Sequence, residues 1–246
     1  LDLGFHTLGF SGHAPVPFDN NFSIKYEELE DYFAEVRELQ SQYIKDLQIL
    51  LGLEIDFIPG VTDDFETFRK QGNLDFTIGG VHLIANPDTS EKKRWFIDGP
   101  LQETYDRGLR DVFKGHARKA VETYYHQVVE MVLTQQPDIL AHFDKIKMHN
   151  KERYFSIEEK WYQDLVWKSL KQIQSHSQVV VEVNTRGLYK KRCDTFFPGP
   201  EILEQMHHLN IPVTISSDAH HPDELDKYIA EARLLLTDIG YKEIVL

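Results

Sequence analysis

Apolar, β-branched-rich runs recur along the chain, and each ends on a residue able to bind a metal or an anion. They are Thr7–His13, Leu47–Glu54, Phe76–His82, Asp138–His142, Val179–Arg186 and Pro212–His220. Near-continuous apolar runs of this kind predict strands buried on both faces, as in parallel sheets. Between them, apolar positions fall three and four residues apart. Leu29, Phe33, Val36, Leu39 and Tyr43 predict an amphipathic helix within 25–46. Pro59-Gly60 ends the second strand, and Thr62 or Asp63 should cap a short helix reaching Lys70. A long helix is predicted over 110–135. Strict alternation follows: strand 138–143, helix 157–175, strand 179–185, helix 200–209, strand 212–217 and helix 223–239, with Tyr241–Val245 as a closing strand. Repeated βα units imply a parallel α/β sheet with right-handed crossovers, here in one domain over 1–246. In a barrel of such strands, chemistry collects at their carboxyl ends.

Two stretches interrupt the pattern. Ala14–Asn21 is turn-rich and predicts a surface loop. Asn86–Asp106 is polar but holds the apolar knot Trp95-Phe-Ile-Asp98, which reads equally as a lid or as a loop packing its own tip.

Charge narrows the partners. Lys plus Arg number 27 against 40 Asp plus Glu, a net charge of −13, which argues against a nucleic-acid backbone or an anionic membrane. A phosphorylated small molecule stays compatible, because cations gathered in one pocket reverse the field locally. Cys193 is the only cysteine, so no intramolecular disulfide forms and a reducing, cytoplasmic setting is expected. The chain opens on Leu1, and Leu1–His6 reads like a helix tail running into a strand, so an upstream segment is expected.

The strand-end residues His13, Glu54, His82, His142, Asp218 and His220 combine imidazole and carboxylate, a set suited to zinc, manganese or iron. Glu54 closes an apolar strand, where its charge is costly unless a metal or partner neutralises it. Gly79-Gly80 ahead of His82 would let backbone pass close to a crowded centre. Asp56 and Asp144 read as supporting partners. His116, His126, His149, His176, His207 and His208 fall on predicted helices or polar loops, and His221 precedes Pro222, so all are expected to be structural or surface residues.

Gly9-Phe-Ser-Gly-His13-Ala-Pro15, Gly52-Leu-Glu54-Ile-Asp56, Gly79-Gly-Val-His82, Ala141-His142-Phe-Asp144, Glu182-Val-Asn-Thr185 and Ser216-Ser-Asp218-Ala-His220 resemble, in order, the motifs of the polymerase-and-histidinol-phosphatase (PHP) superfamily. Order and spacing resemble its histidinol-phosphate phosphatase branch most. The resemblance implies a distorted (β/α)7 barrel with two to three divalent ions. Glu54 would bridge two of them, His82 and His142 would complete the second site, Asp218 would serve the first, and His13 and His220 the third. It further implies phosphomonoester hydrolysis, with L-histidinol phosphate of histidine biosynthesis as substrate and Glu54, Asp218 and His220 at the chemistry. A phosphotyrosine or sugar-phosphate phosphatase is the alternative, as is a catalytically impaired metal-binding domain with a structural role.

Arginine's planar fork suits a phosphate dianion, which makes Arg186 and Arg153 candidates for the substrate phosphate. Asp98 is the candidate for the substrate amine. Two departures from the family stand out. Its opening His-x-His motif is absent here, so an upstream strand bearing it is expected in the gene. Gly12 stands where the family usually has Asp, which would weaken support for His13.

Overall fold

The computed structural model describes residues 3–89, 93–176 and 178–245, without the side chain of His176. Leu1 and Asp2 lie outside the described residues, and Leu3–His6 is turn and coil rather than a helix tail. β1 (Thr7–His13), α1 (Leu29–Gln42), β2 (Gln48–Asp56), α2 (Phe65–Gly72) and β3 (Phe76–Gly80) open the fold. A short hairpin, β4 (Leu83–Ala85) with β5 (Arg94–Phe96), precedes α3 (Gln102–Phe113) and α4 (Ala117–Gln135). Then come β6 (Ile139–Leu140), α5 (Lys160–His176), β7 (Val180–Asn184), α6 (Arg186–Tyr189), α7 (Pro200–His208), β8 (Val213–Ser216) and α8 (Ile229–Ile239).

All six predicted strands form, and they pair in parallel in the order β1-β2-β3-β6-β7-β8, curled into a half-barrel. The register sets His13 opposite Glu54 and Asn184 opposite Ser216, so neighbouring strands finish side by side. Leu51, Leu53, Val181, Val183 and Val213 are fully buried in the sheet, as its near-continuous apolar character requires. The helices cover it with Phe33, Phe68, Val128, Met131, Val166 and Leu203. No helix among the described residues is long and apolar enough to cross a membrane.

Boundaries depart from the sequence pattern where backbone chemistry decides them. The helix predicted over 110–135 is two helices: Lys114 and Gly115 adopt positive φ of 54° and 80°, and the Gly115 amide returns to the Leu109 carbonyl at 3.1 Å, closing α3. The cap of α2 is Asp64, which accepts from the Glu66 amide at 3.0 Å, while the Thr62 hydroxyl folds back on Ile58. Residues 222–224 form a 3₁₀ turn, and α8 starts only at Ile229. Tyr241–Val245 is not a strand. One backbone bond, from the Val245 amide to the Val213 carbonyl at 2.9 Å, ties it beside β8.

The apolar knot packs its own tip. Trp95 is buried edge-on against Tyr105 at 4.7 Å and Phe113 at 5.9 Å, both on α3. Gly108 makes this possible, since a Cβ there would lie 1.9 Å from the Trp95 ring. The Ile97 amide donates to the His82 carbonyl at 3.0 Å, which ties the hairpin to the strand end beneath it. Gly108→Ala should therefore cost about 1–3 kcal/mol of unfolding free energy through overpacking. Urea denaturation measures this, and a wild-type midpoint would show that Trp95 moves aside without cost.

Candidate metal centre

The register of β1 and β2 brings His13 and Glu54 together, with His13 Nε2 3.9 Å from Glu54 Oε2. His82 follows β3 and His142 follows β6, and their Nε2 atoms lie 3.3 and 3.4 Å from the other oxygen, Glu54 Oε1. The two Nε2 atoms are only 2.9 Å apart. Two imidazole nitrogens and a carboxylate oxygen at these separations surround one point, and a divalent ion there would satisfy all three at once. The nitrogen of His13 and of His142 turned away from Glu54, Nδ1 in each, and Asp98 Oδ1 are buried without hydrogen-bond partners. The converging Nε2 atoms and the Glu54 carboxylate, with the unpartnered Asp98 Oδ1 close by, are a donor set that fits a divalent cation. Among the described residues, Glu54, His82 and His142 are close enough to share an ion, as are His13, Asp56 and His82.

Close approach depends on glycine. A Cβ at Gly80 would lie 2.8 Å from the His82 ring and 3.2 Å from Glu54 Oε1. Behind the ring, Asp56 takes the other nitrogen of His82, Nδ1, in a short hydrogen bond that turns Nε2 toward Glu54. His142 has a strained φ of 24°, and its amide donates to Glu182 Oε2 at 2.9 Å. Asp144 lies deeper and supports structure, accepting from Lys147 at 2.6 Å and from the Gly199 amide at 3.0 Å.

Burial opposes the charge on Glu54, yet His13, His142 and His82 outweigh it and hold the carboxyl well below the ordinary range. Burial likewise works against a charged His82, but Asp56, Asp98 and Glu54 push it up to about 10. Glu182 is raised to about 7 by burial and by the charges of Asp218 and Glu54.

Asp218 and His220 reach the site less directly. Asn184 Nδ2 lies 3.1 Å from both Glu182 Oε2 and Asp218 Oδ2, and so links Asp218 to the His142 side of the cluster. His220 does not gather with His13 as expected. Its side chain is 55% exposed, and its Nδ1 faces the Asp218 carbonyl at 3.1 Å. Position 12 does not face the metal cluster either: a Cβ there would meet Ile24 at 2.7 Å and Tyr32 at 3.5 Å, on the α1 side.

Both arginines are engaged by protein groups in this structure. Arg153 is forked onto Asp106 at 2.7 and 2.9 Å and donates to the His149 carbonyl at 2.7 Å, so its planar face is spent. Arg186 donates through Nη1 to the Asp218 carbonyl at 2.5 Å. Asp98, by contrast, does enter the site. Its Oδ2 lies 3.8 Å from His82 Nε2 and 3.7 Å from Lys145 Nζ. Burial would raise its carboxyl, but His82, Lys145, His142 and His13 hold it down. Sequence reasoning missed Lys145, a buried lysine, and carried Glu182 and Asn184 only as part of a motif, without a role of their own. A charged residue three positions after a strand-end histidine was the only available signal for Lys145.

A model of the PHP domain family matches residues 1–186. A Deinococcus radiodurans protein assigned as a histidinol-phosphatase is 26% identical over 248 residues, covering 99% of this chain and 86% of its own length. The histidinol-phosphatase of Bacillus subtilis is 24% identical over 252 residues, covering 95% and 88%. Among solved structures, a Listeria monocytogenes protein assigned as a histidinol phosphatase superposes with a TM-score of 0.80 at 19% identity, over 94% of this chain and 89% of that one. The histidinol phosphate phosphatase of Lactococcus lactis, solved with zinc, L-histidinol and phosphate, gives 0.59 at 19% identity, over 99% and 85%.

Because Nε2 of His82 must be unprotonated to take an ion, metal and proton compete for it. With His82 raised to about 10, apparent Zn2+ affinity should climb as pH rises through the neutral range, by up to about tenfold per unit. Competition titrations with a chromophoric chelator at about pH 6, 7 and 8 check this. A flat profile would remove His82 from the ligand set.

Proposed function

The chain belongs to the PHP domain family, and on that footing we propose that it is a metal-dependent phosphomonoesterase acting on L-histidinol phosphate. One observation carries the reading: Glu54 Oε1 lies within 3.4 Å of the Nε2 atoms of both His82 and His142 at the carboxyl end of a parallel sheet. Glu54, His82 and His142 would hold one ion, His13 would sit at the far oxygen of Glu54, and Asp218 would serve a further ion. We infer two to three ions in all, of zinc, manganese or iron, whose ligand preferences these residues share. Bound ions would supply a hydroxide near neutral pH and offset charge on the phosphoryl oxygens.

The chain's own residues do the rest. Asp56 fixes the tautomer of His82. The segment after the hairpin, tied to His82 through the Ile97 amide, brings in Asp98, and the burial of these groups lets their fields act at reduced dielectric. Lys145 places a fixed positive charge beside Asp98, suited to an anionic ester. Asp98 Oδ1, buried without a partner, is the acceptor available to the ammonium of an amino alcohol. The half-buried, unpaired Cys193 agrees with a cytoplasmic setting.

A second reading, a metal-binding domain without turnover, is favoured by the exposure of His220 alone. Phosphate release from L-histidinol phosphate with added Zn2+ or Mn2+ separates the two. Glu54→Gln keeps the volume and removes the shared charge, so activity and metal content should fall together, by about 100-fold or more in rate. Undiminished activity in that variant would refute the cluster. Asp98→Asn should raise KM for L-histidinol phosphate by a factor equivalent to roughly 1.5–3 kcal/mol, as for a lost charged hydrogen bond, and affect an amine-free phosphomonoester clearly less. Equal effects on both esters would deny Asp98 the amine.

A further inference from the structure

Asp218 is a non-glycine residue held at φ 49°, in the left-handed region. Such a conformation persists where surrounding contacts enforce it. Here they come from the turn of helix that follows β7. Arg186 Nη1 donates to the Asp218 carbonyl at 2.5 Å. The Tyr189 hydroxyl lies 2.8 Å from the Ser217 carbonyl and 3.1 Å from that of Asp218, sharing its single proton between them. Glu224, across the turn, accepts from the His220 amide at 3.0 Å. The same carboxylate oxygen lies 3.4 Å from both Arg186 Nη1 and the Tyr189 hydroxyl, and its other oxygen pairs with Lys190. Thr185 adds a bond from its hydroxyl to the Lys227 carbonyl at 2.7 Å. The backbone of 217–220 is thus gripped from both ends by side chains that, among the described residues, make no hydrogen bond or ion pair to Glu54, His82 or His142.

We propose that Tyr189 and Glu224, acting with Arg186, form a latch that holds the Asp218–His220 turn in the conformation that presents its carboxylate to a metal ion. The inference rests on the metal-site reading. It makes Tyr189 and Glu224 positioning residues and gives Arg186 a hold on the backbone of the turn through Nη1. The Glu224 carboxylate answers one of the two positive charges of Arg186 and Lys190. Arg186 Nε also lies 4.0 Å from Asp218 Oδ2, the oxygen that faces the Asn184 amide at 3.1 Å, so the same side chain steadies the backbone and the carboxylate of the turn. Releasing the latch lets residue 218 relax toward ordinary backbone angles, which swings the carboxylate away while the Glu54 site stays built.

The test uses Tyr189→Phe, which removes one hydroxyl, and Glu224→Gln, which keeps the shape and removes the charge. Metal-free protein is titrated with Zn2+ alone, and amide exchange is followed over 217–222. In both variants, one class of Zn2+ site should weaken by about tenfold, the lower end of what supporting hydrogen bonds are worth to metal affinity, while another class is unchanged. Exchange at 217–220 should accelerate, with the thermal midpoint near wild type. Excess Zn2+ should restore kcat on L-histidinol phosphate with KM unmoved, a rescue that a general loss of structure would not give. Wild-type Zn2+ affinity and exchange in both variants overturn the latch, as does a raised KM with metal binding intact. If Glu224→Gln does not fold, Tyr189→Phe alone decides. Absence of turnover in the wild type would sink the proposed substrate, whereas the latch is judged separately by titration and exchange.

Discussion

A carboxylate buried among imidazoles is the constraint around which this molecule is arranged. Left alone at the end of an apolar strand, Glu54 would carry a desolvation cost of several kcal/mol. The fold answers by bringing one histidine from each of three strand ends to its two oxygens. That answer fixes much else. β1, β2, β3 and β6 must be neighbours and must finish level, Gly80 must lack a side chain, and Asp56 must stand behind His82. The imidazoles are themselves crowded, with two Nε2 atoms at hydrogen-bond distance. The arrangement is complete only as part of a larger electrostatic unit, and a divalent cation is the group that finishes it.

β7 joins this centre to the rest of the site. Glu182 faces the His142 amide, and Asn184, two residues along on the same face, reaches both Glu182 and Asp218. One strand therefore links the backbone of His142 on its one side with the side chain of Asp218 on its other. Burial and the charges of Asp218 and Glu54 raise Glu182 to about 7, so this strand end is where negative charge is most crowded.

The sheet and the cluster were legible in the sequence for the same reason. A strand buried on both faces has a near-continuous apolar composition, so a polar residue closing it, such as Glu54 or His142, stands out. The hairpin β4–β5 was harder to read: its few residues carry no period, and only the knot at Trp95 hinted that the loop had somewhere to bury itself. The break at Lys114 was marked by Gly115 but hidden inside a run of helix-compatible residues. Side-chain destinations were least visible. Arg153 and Arg186 both looked like anion grips, yet one is claimed by Asp106, 47 residues away in sequence, and the other by the Asp218 carbonyl. His220 sits two residues from Asp218 in a motif that suggests shared work, but the turn directs it outward. Such pairings follow from tertiary geometry, which spacing does not encode.

The cover over the cluster is uneven. His82 and His142 keep only 5% and 3% of their side-chain surface, whereas His13 and Glu54 keep 21% and 12%. Water therefore reaches the cluster past His13, and that side is where a bound ion would be exchanged and where an incoming ester would first meet it.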